Sequence, residues 1–198
     1  MKIIKNFTLL ILCFGASILI CMQILDDILA RFVISDYIFL ITRIVLAILL
    51  YFLVIALKNK NLSNKEISIM SITYIILVIT LTLFKGDFGR GHSNINLNPL
   101  EIINDFKLSD TSGLLLIANF FMYMPIGIYI KKIFNNKKTK IVLFCSLIYF
   151  FAIESIQYLF KLGFFDINDI ILNFTGFAIG VLMYKKYLNI KESKLCQN

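Results

Sequence analysis

Charge is what this sequence has least of. Of its 198 residues only 16% are Asp, Glu, Lys or Arg, and acids are the scarcer sign, 12 against 20 basic residues. A soluble domain carries about 25% charged and about 45–50% apolar residues. Here the apolar share is 59% and the mean hydropathy is +0.85. One small water-soluble core cannot hide that much apolar surface, so much of it must face lipid. Cysteine is also sparse: Cys13, Cys21, Cys145 and Cys196 form no C-x-x-C pair, which excludes a zinc ribbon or dithiol redox motif on this pattern and leaves free buried thiols as the expectation. The single histidine, His92, follows Gly89-Arg90-Gly91, but no GK[ST] completes a P-loop. Neither an internal repeat nor a low-complexity tract is present.

What the sequence has in quantity is long apolar runs. A spanning helix needs about 20 apolar residues, with a range of about 17–25. Six runs qualify or nearly so: Phe7–Leu25, Ile38–Leu57, Ile67–Phe84, Leu114–Ile130, Ile141–Phe160 and Asn168–Tyr184. They are continuous rather than alternating, which argues against the strands of a barrel. The expected fold is therefore all-α, a polytopic bundle of about six transmembrane helices. The first run follows Lys2 and Lys5, as a signal peptide would, but it exceeds the usual h-region of about 7–15 residues and no A-x-A site follows. It reads as a retained helix.

The basic residues set an expected orientation. With the N-terminus inside, the segments on that side hold fourteen of the 20 Lys and Arg, including Lys58, Lys60, Lys65, Lys131, Lys132, Lys137, Lys138, Lys140, Lys185 and Lys186. Nine of the 12 acids fall on the other side, among them Asp26, Asp36, Glu101, Asp166 and Asp169. Every connection agrees with one alternating topology that puts both termini in the cytoplasm. The net charge of +8 then reads as a topology signal with anionic-lipid contact, and no nucleic-acid partner is expected.

Inside the runs, ionisable residues need a reason, because placing one at mid-bilayer costs about 2.5–3.5 kcal/mol on insertion scales. Arg43 and Glu154 are the two, with Gln157, Asn119 and Asn173 as uncharged companions. Counting about 1.5 Å of rise per residue, Arg43, Asn119, Glu154 and Asn173 all fall roughly 6–9 Å below the outer boundary. Glu154 and Gln157 share a helix face. Asp166, Asp169, Asn173, Gly176 and Gly180 form a stripe on the last helix and its approach, and Gly176-x-x-x-Gly180 is a small-xxx-small face for close helix contact. Asn119, Tyr123 and Gly127 step by four on the fourth helix, which Pro125 is expected to kink. The plain alternative is structural glue, with Arg43 neutralising Glu154 and the amides bridging helices.

Three blocks carry a family resemblance: Asn96-Leu97-Asn98-Pro99-Leu100; Asn119 through Gly127 with Tyr123, Pro125 and Gly127; and Glu154-x-x-Gln157, Asp166-x-x-Asp169, Asn173-x-x-Gly176. On these the sequence resembles the VanZ-like family over about residues 67–184. Residues 1–66 are then an N-terminal two-helix extension, 67–184 a four-helix core and 185–198 a basic cytoplasmic tail. One departure stands out: many members carry an Arg just before the Asp-x-x-Asp segment, where this chain has Gly163-Phe164-Phe165. The resemblance implies a multi-pass protein of the bacterial cytoplasmic membrane, linked to reduced susceptibility to teicoplanin-type lipoglycopeptides. The polar site would be Glu154, Gln157, Asp169, Asn173, Asn119, Asp166 and Arg43, near the outer leaflet. Its partners would be the bilayer and a lipoglycopeptide or lipid-linked envelope precursor.

Two other functions stay open. One is a membrane enzyme modifying an envelope lipid, with Glu154 as general acid or base and Asp166, Asp169 and His92 holding a divalent cation. The signal for that cation is weak, so no metal and no other cofactor is assigned. The other is a small-solute transporter, which the apolar inner halves of the helices disfavour.

Overall fold

The computed structural model describes residues 2–30, 36–59, 62–83, 95–100, 102–103, 110–135, 138–163 and 165–195. His92, Lys85, Arg90, Lys107 and Cys196 lie outside them. The chain forms two compact units, Met1–Arg90 and Gly91–Asn198. The third apolar run packs within the first unit, while the family resemblance places it in the core.

In the first unit, α1 (Lys2–Ile20) runs on through a π-helical turn (Cys21–Leu25) into α2 (Asp26–Leu29). Helix α3 (Asp36–Asn59) packs on α1, and α4 (Asn64–Leu83) packs on α3. Cys13, Ser17 and Cys21, spaced by four, make a buried stripe of small side chains on α1. Ile38, Thr42 and Val45 form the buried face of α3 near its start. The π turn matters for this face. The Asp26 N–H bonds the Cys21 carbonyl, five residues back. That sets Asp26 over Cys21, on the buried stripe, where an α-helix would have set Leu25. Helix α4 opens with a capping box: Ser63 Oγ accepts the Glu66 N–H at 3.3 Å, and Glu66 Oε2 accepts the Ser63 N–H at 2.8 Å.

The second unit contains α5 (Asp110–Ile133), α6 (Thr139–Leu159) and α7 (Ile167–Leu195). Two short strands, β1 (Ile95–Asn96) and β2 (Phe165–Asp166), pair in parallel, Ile95 with Phe165 and Asn96 with Asp166. They lie in the connections, so the helical character of the spans is untouched. Helices α5 and α7 meet at backbone distance. A Cβ on Gly176 would stand 1.9 Å from the Phe120 carbonyl oxygen, one on Gly180 2.1 Å from that of Met124, and one on Gly127 2.1 Å from that of Phe177. The small-xxx-small face therefore does what its spacing implied, with Gly127 answering from the opposite helix. Helix α6 is joined by rings: Phe150 meets Tyr123 edge-on at a centroid distance of 4.7 Å and Phe177 at 6.1 Å. It ends in a Schellman motif, in which the Leu162 N–H reaches the Gln157 carbonyl and the Lys161 N–H reaches that of Tyr158, with Lys161 at φ 56°. Helix α7 carries on through Lys185 and Lys186 to Leu195, so most of the expected tail is helical.

Among the described residues, five helices are long and apolar enough to cross a bilayer: Tyr37–Lys58, Asn64–Leu83, Leu116–Ile133, Thr139–Leu159 and Ile167–Ile190. The first apolar stretch, Phe7–Gln23, is shorter. The surface is inverted relative to a water-soluble protein. Leu12, Leu53, Ile72, Phe121, Phe144 and Phe151 are exposed, whereas Asn119, Glu154, Gln157 and Asn173 are buried. Hydroxyls on the helices satisfy themselves locally, as when Thr80 donates to the Ile76 carbonyl and Thr175 to that of Ile171. This is an all-α multi-pass membrane protein. Of the cysteines, Cys13 and Cys21 are free and buried as expected, but Cys145 is exposed on α6.

Candidate functional site

Asn119, Glu154, Gln157, Asp166, Asp169 and Asn173 gather at one end of the second unit, where α5 starts, α6 finishes and α7 starts. Asp166 organises this end. It precedes α7, and its Oδ1 accepts the Asn168 N–H at 2.8 Å, the geometry of a helix N-cap. The same oxygen accepts from Asn96 Nδ2 at 3.2 Å, tying β1 to the helix start. The backbone N–H of Asp166 donates to Glu154 Oε2 at 3.2 Å, which fixes the end of α6 against the start of α7. Glu154 is only 2% exposed, so the Asp166 N–H is part of what makes a carboxylate tolerable there.

Asp169 stands in the first turn of α7, where the positive end of the helix dipole favours a carboxylate. Its Oδ1 accepts from Asn119 Nδ2 of α5 at 2.7 Å, a buried charge-assisted bond between two helices. Asn173 lies one turn further along the same face and Gln157 one turn beyond Glu154, both buried. The loop that closes this end satisfies its own backbone. Asn96 Oδ1 accepts the Asn98 N–H at 3.0 Å and Asn98 Oδ1 accepts the Leu100 N–H at 3.1 Å, two successive Asx turns. Asn168 Nδ2 reaches the Asn98 carbonyl at 3.3 Å.

Six of the seven candidates read from the sequence, Asn119, Glu154, Gln157, Asp166, Asp169 and Asn173, are thus buried at this end of the second unit. The seventh, Arg43, finds its carboxylate inside the first unit, where its guanidinium pairs with Asp26. Sequence reasoning took Asp26 for an outer loop acid, because only the π turn brings it onto the buried stripe. It also missed Asn96, Asn98 and Asn168 as members of the site. Asn96 stands at a fixed position of the loop block that carries the family resemblance, so its signal was available, whereas Asn98 and Asn168 fall between the motif positions. Among the described residues, no group of three or more His, Cys, Asp and Glu is placed to hold a metal ion.

Fold and site together define a multi-pass helical membrane protein with a buried, acid- and amide-rich nest at one end of a glycine-zippered helix pair. The chain belongs to the VanZ/LLP1 family, whose model matches residues 71–190. That range takes in the later part of α4 in the first unit and all of the polar nest. Protein VanZ of Enterococcus faecium is 28% identical over 132 residues, which cover 60% of this chain and 75% of that protein. No solved structure matches.

Proposed function

We propose that this chain acts in the bacterial cytoplasmic membrane to lower susceptibility to teicoplanin-type lipoglycopeptides, from a polar site near the outer leaflet. The observation that carries the reading is the clustering of Asn119, Glu154, Asp166 and Asp169 at one end of three spanning helices. The opposite end bears Lys131, Lys132, Lys138 and Lys140, with Lys185 and Lys186 on the far part of α7. By the positive-inside rule the lysine end faces the cytoplasm and the nest faces out. A lipoglycopeptide works at that outer face, and so do the lipid-linked envelope precursors around it. The likeness to Protein VanZ supports the same reading.

The test is drug tolerance in cells with and without the chain. Deletion lowers teicoplanin tolerance and leaves vancomycin tolerance nearly unchanged, and Glu154→Gln reproduces the deletion at normal membrane abundance. Equal shifts for both drugs, or wild-type tolerance in Glu154→Gln, contradict it. Envelope lipid profiles of the Glu154→Gln strain separate this reading from lipid-modifying catalysis: they match wild type if the site binds, and they differ if it is an enzyme's.

A further inference from the structure

Two oxygens in the nest have nothing to accept from. Asn168 Oδ1 and Asn173 Oδ1 are buried and receive no hydrogen bond among the described residues. Both residues are more than nine-tenths enclosed, at 1% and 3% exposure. An amide flip does not repair Asn168. Its Nδ2 donates to the Asn98 carbonyl, so exchanging the two ends would set oxygen against oxygen. Native structures rarely leave such acceptors empty, and where they do an unseen donor is the usual reason.

Four of the donors at this end bond carboxylates. Asn96 Nδ2 and the Asn168 N–H serve Asp166, Asn119 Nδ2 serves Asp169, and the Asp166 N–H serves Glu154. What this end of the unit offers to a newcomer is acceptor oxygen beside carboxylates. An anion is the wrong complement. The start of α7 would attract one, but Asp166 caps it and Asp169 occupies its first turn. The segment Gly163-Phe164-Phe165 before the cap contributes no cation either. Among the described residues no three His, Cys, Asp or Glu side chains stand together to hold a metal ion, and the open groups are amide oxygens. The remaining complement is a positive group rich in N–H donors.

We propose that this nest binds a primary ammonium group, with N–H donors directed to Asn168 Oδ1 and the Asp166 carboxylate supplying the opposite charge. Asn173 Oδ1 is a second open acceptor, on the Asp169 face of α7. The group belongs to a membrane amphiphile's headgroup or to a soluble amine. The inference rests on the reading of the nest as a ligand site, and it adds the ligand's chemistry.

The test uses the full chain in phosphatidylcholine nanodiscs, with empty discs subtracted. Octylamine and octyltrimethylammonium share a chain and a charge, but only the first has N–H donors. Calorimetry is expected to show saturable octylamine binding at least about tenfold tighter than that of the quaternary ion. The basis is that a hydrogen bond to a charged group is worth about a factor of ten or more. Equal binding of the two, or no octylamine binding, overturns the proposal, and in the second case the oxygens hold water. Asn168→Ala is expected to weaken octylamine about tenfold and leave the quaternary ion unchanged. Unchanged octylamine affinity in a folded variant overturns it. Should the variant not fold, the two-ligand comparison on the wild-type chain still decides. Doping the discs with phosphatidylethanolamine identifies the source: a weaker apparent octylamine affinity points to a lipid headgroup, and competition by ethylamine alone to a soluble amine. Tolerance assays separate the two readings. Ammonium preference with unchanged teicoplanin tolerance in Asn168→Ala keeps this inference and sinks the resistance role, while lost tolerance without ammonium preference does the reverse.

Discussion

Alanine at Gly176 would place its Cβ 1.9 Å from the Phe120 carbonyl oxygen and 2.9 Å from the carbonyl carbon. A close carbon–oxygen contact in proteins is about 3.3 Å, so α5 and α7 must separate by about 1.4 Å or shear by an equivalent amount. The obstacle is backbone on a helix that Gly127 and Gly180 hold just as tightly, and no side chain can swing aside to relieve it. Overpacking of this kind costs about 1–3 kcal/mol. The displacement also reaches the nest. Asp169 lies two turns before Gly176, about 10 Å along α7, and its 2.7 Å bond from Asn119 spans the same interface. Opening that bond adds about 1–3 kcal/mol for a buried group left unsatisfied. Gly176→Ala is therefore expected to lose at least about 2 kcal/mol in thermal or denaturant unfolding in bicelles. Gly15→Ala is the control, because a Cβ there meets nothing within 4 Å. It is expected to be neutral or slightly stabilising, as glycine is a poor helix former. Equal stability of Gly176→Ala and Gly15→Ala would mean that α5 and α7 do not meet at backbone distance.

Three further outcomes follow from local geometry. Asp166→Ala removes the N-cap of α7 and the tie to Asn96, and should lower stability by about 0.5–2 kcal/mol, with Asp166→Ser recovering part of the loss in the same unfolding assay. Lys161→Gly relieves a left-handed backbone that a side chain disfavours by about 1–2 kcal/mol, so it should raise the unfolding midpoint; a drop would mean that the Lys161 side chain does more than end α6. A double-mutant cycle on Asp26→Asn and Arg43→Gln should show a coupling of about 0.5–3 kcal/mol, whereas additive effects would remove the ion pair from the account.

The helices were legible because a bilayer imposes length and hydropathy on each run, and the runs Ile38–Leu57, Ile141–Phe160 and Asn168–Tyr184 lie inside α3, within a residue of α6 and inside α7. The glycine contact was legible too, since residues four apart must share a face. The partner of Arg43 was not. Its acid is 17 residues back and is set in place by the π turn just before it, and the backbone choice between i→i+4 and i→i+5 bonding at Cys21 leaves no mark in hydropathy. The far ends of the helices were missed for a related reason. Helix α7 outlasts its apolar run because residues such as Lys185, Lys186 and Leu188 are good helix formers that stay helical without lipid. The loop asparagines were visible as a pattern but not as members of the site. Asn96 and Asn98 bond to Asp166 and Asn168 some 70 positions along the chain, and no local spacing encodes that distance.

The most direct test is whether Asn119 of α5 and Asp169 of α7 act as one unit at the heart of the nest. Asn119→Ala, Asp169→Ala and the double variant are compared by unfolding in bicelles. Each single change should strand a buried partner, so the double variant should cost less than the sum of the two, with a coupling of about 1–2 kcal/mol. Strict additivity would mean that the two side chains do not meet and that no buried polar nest joins α5 to α7.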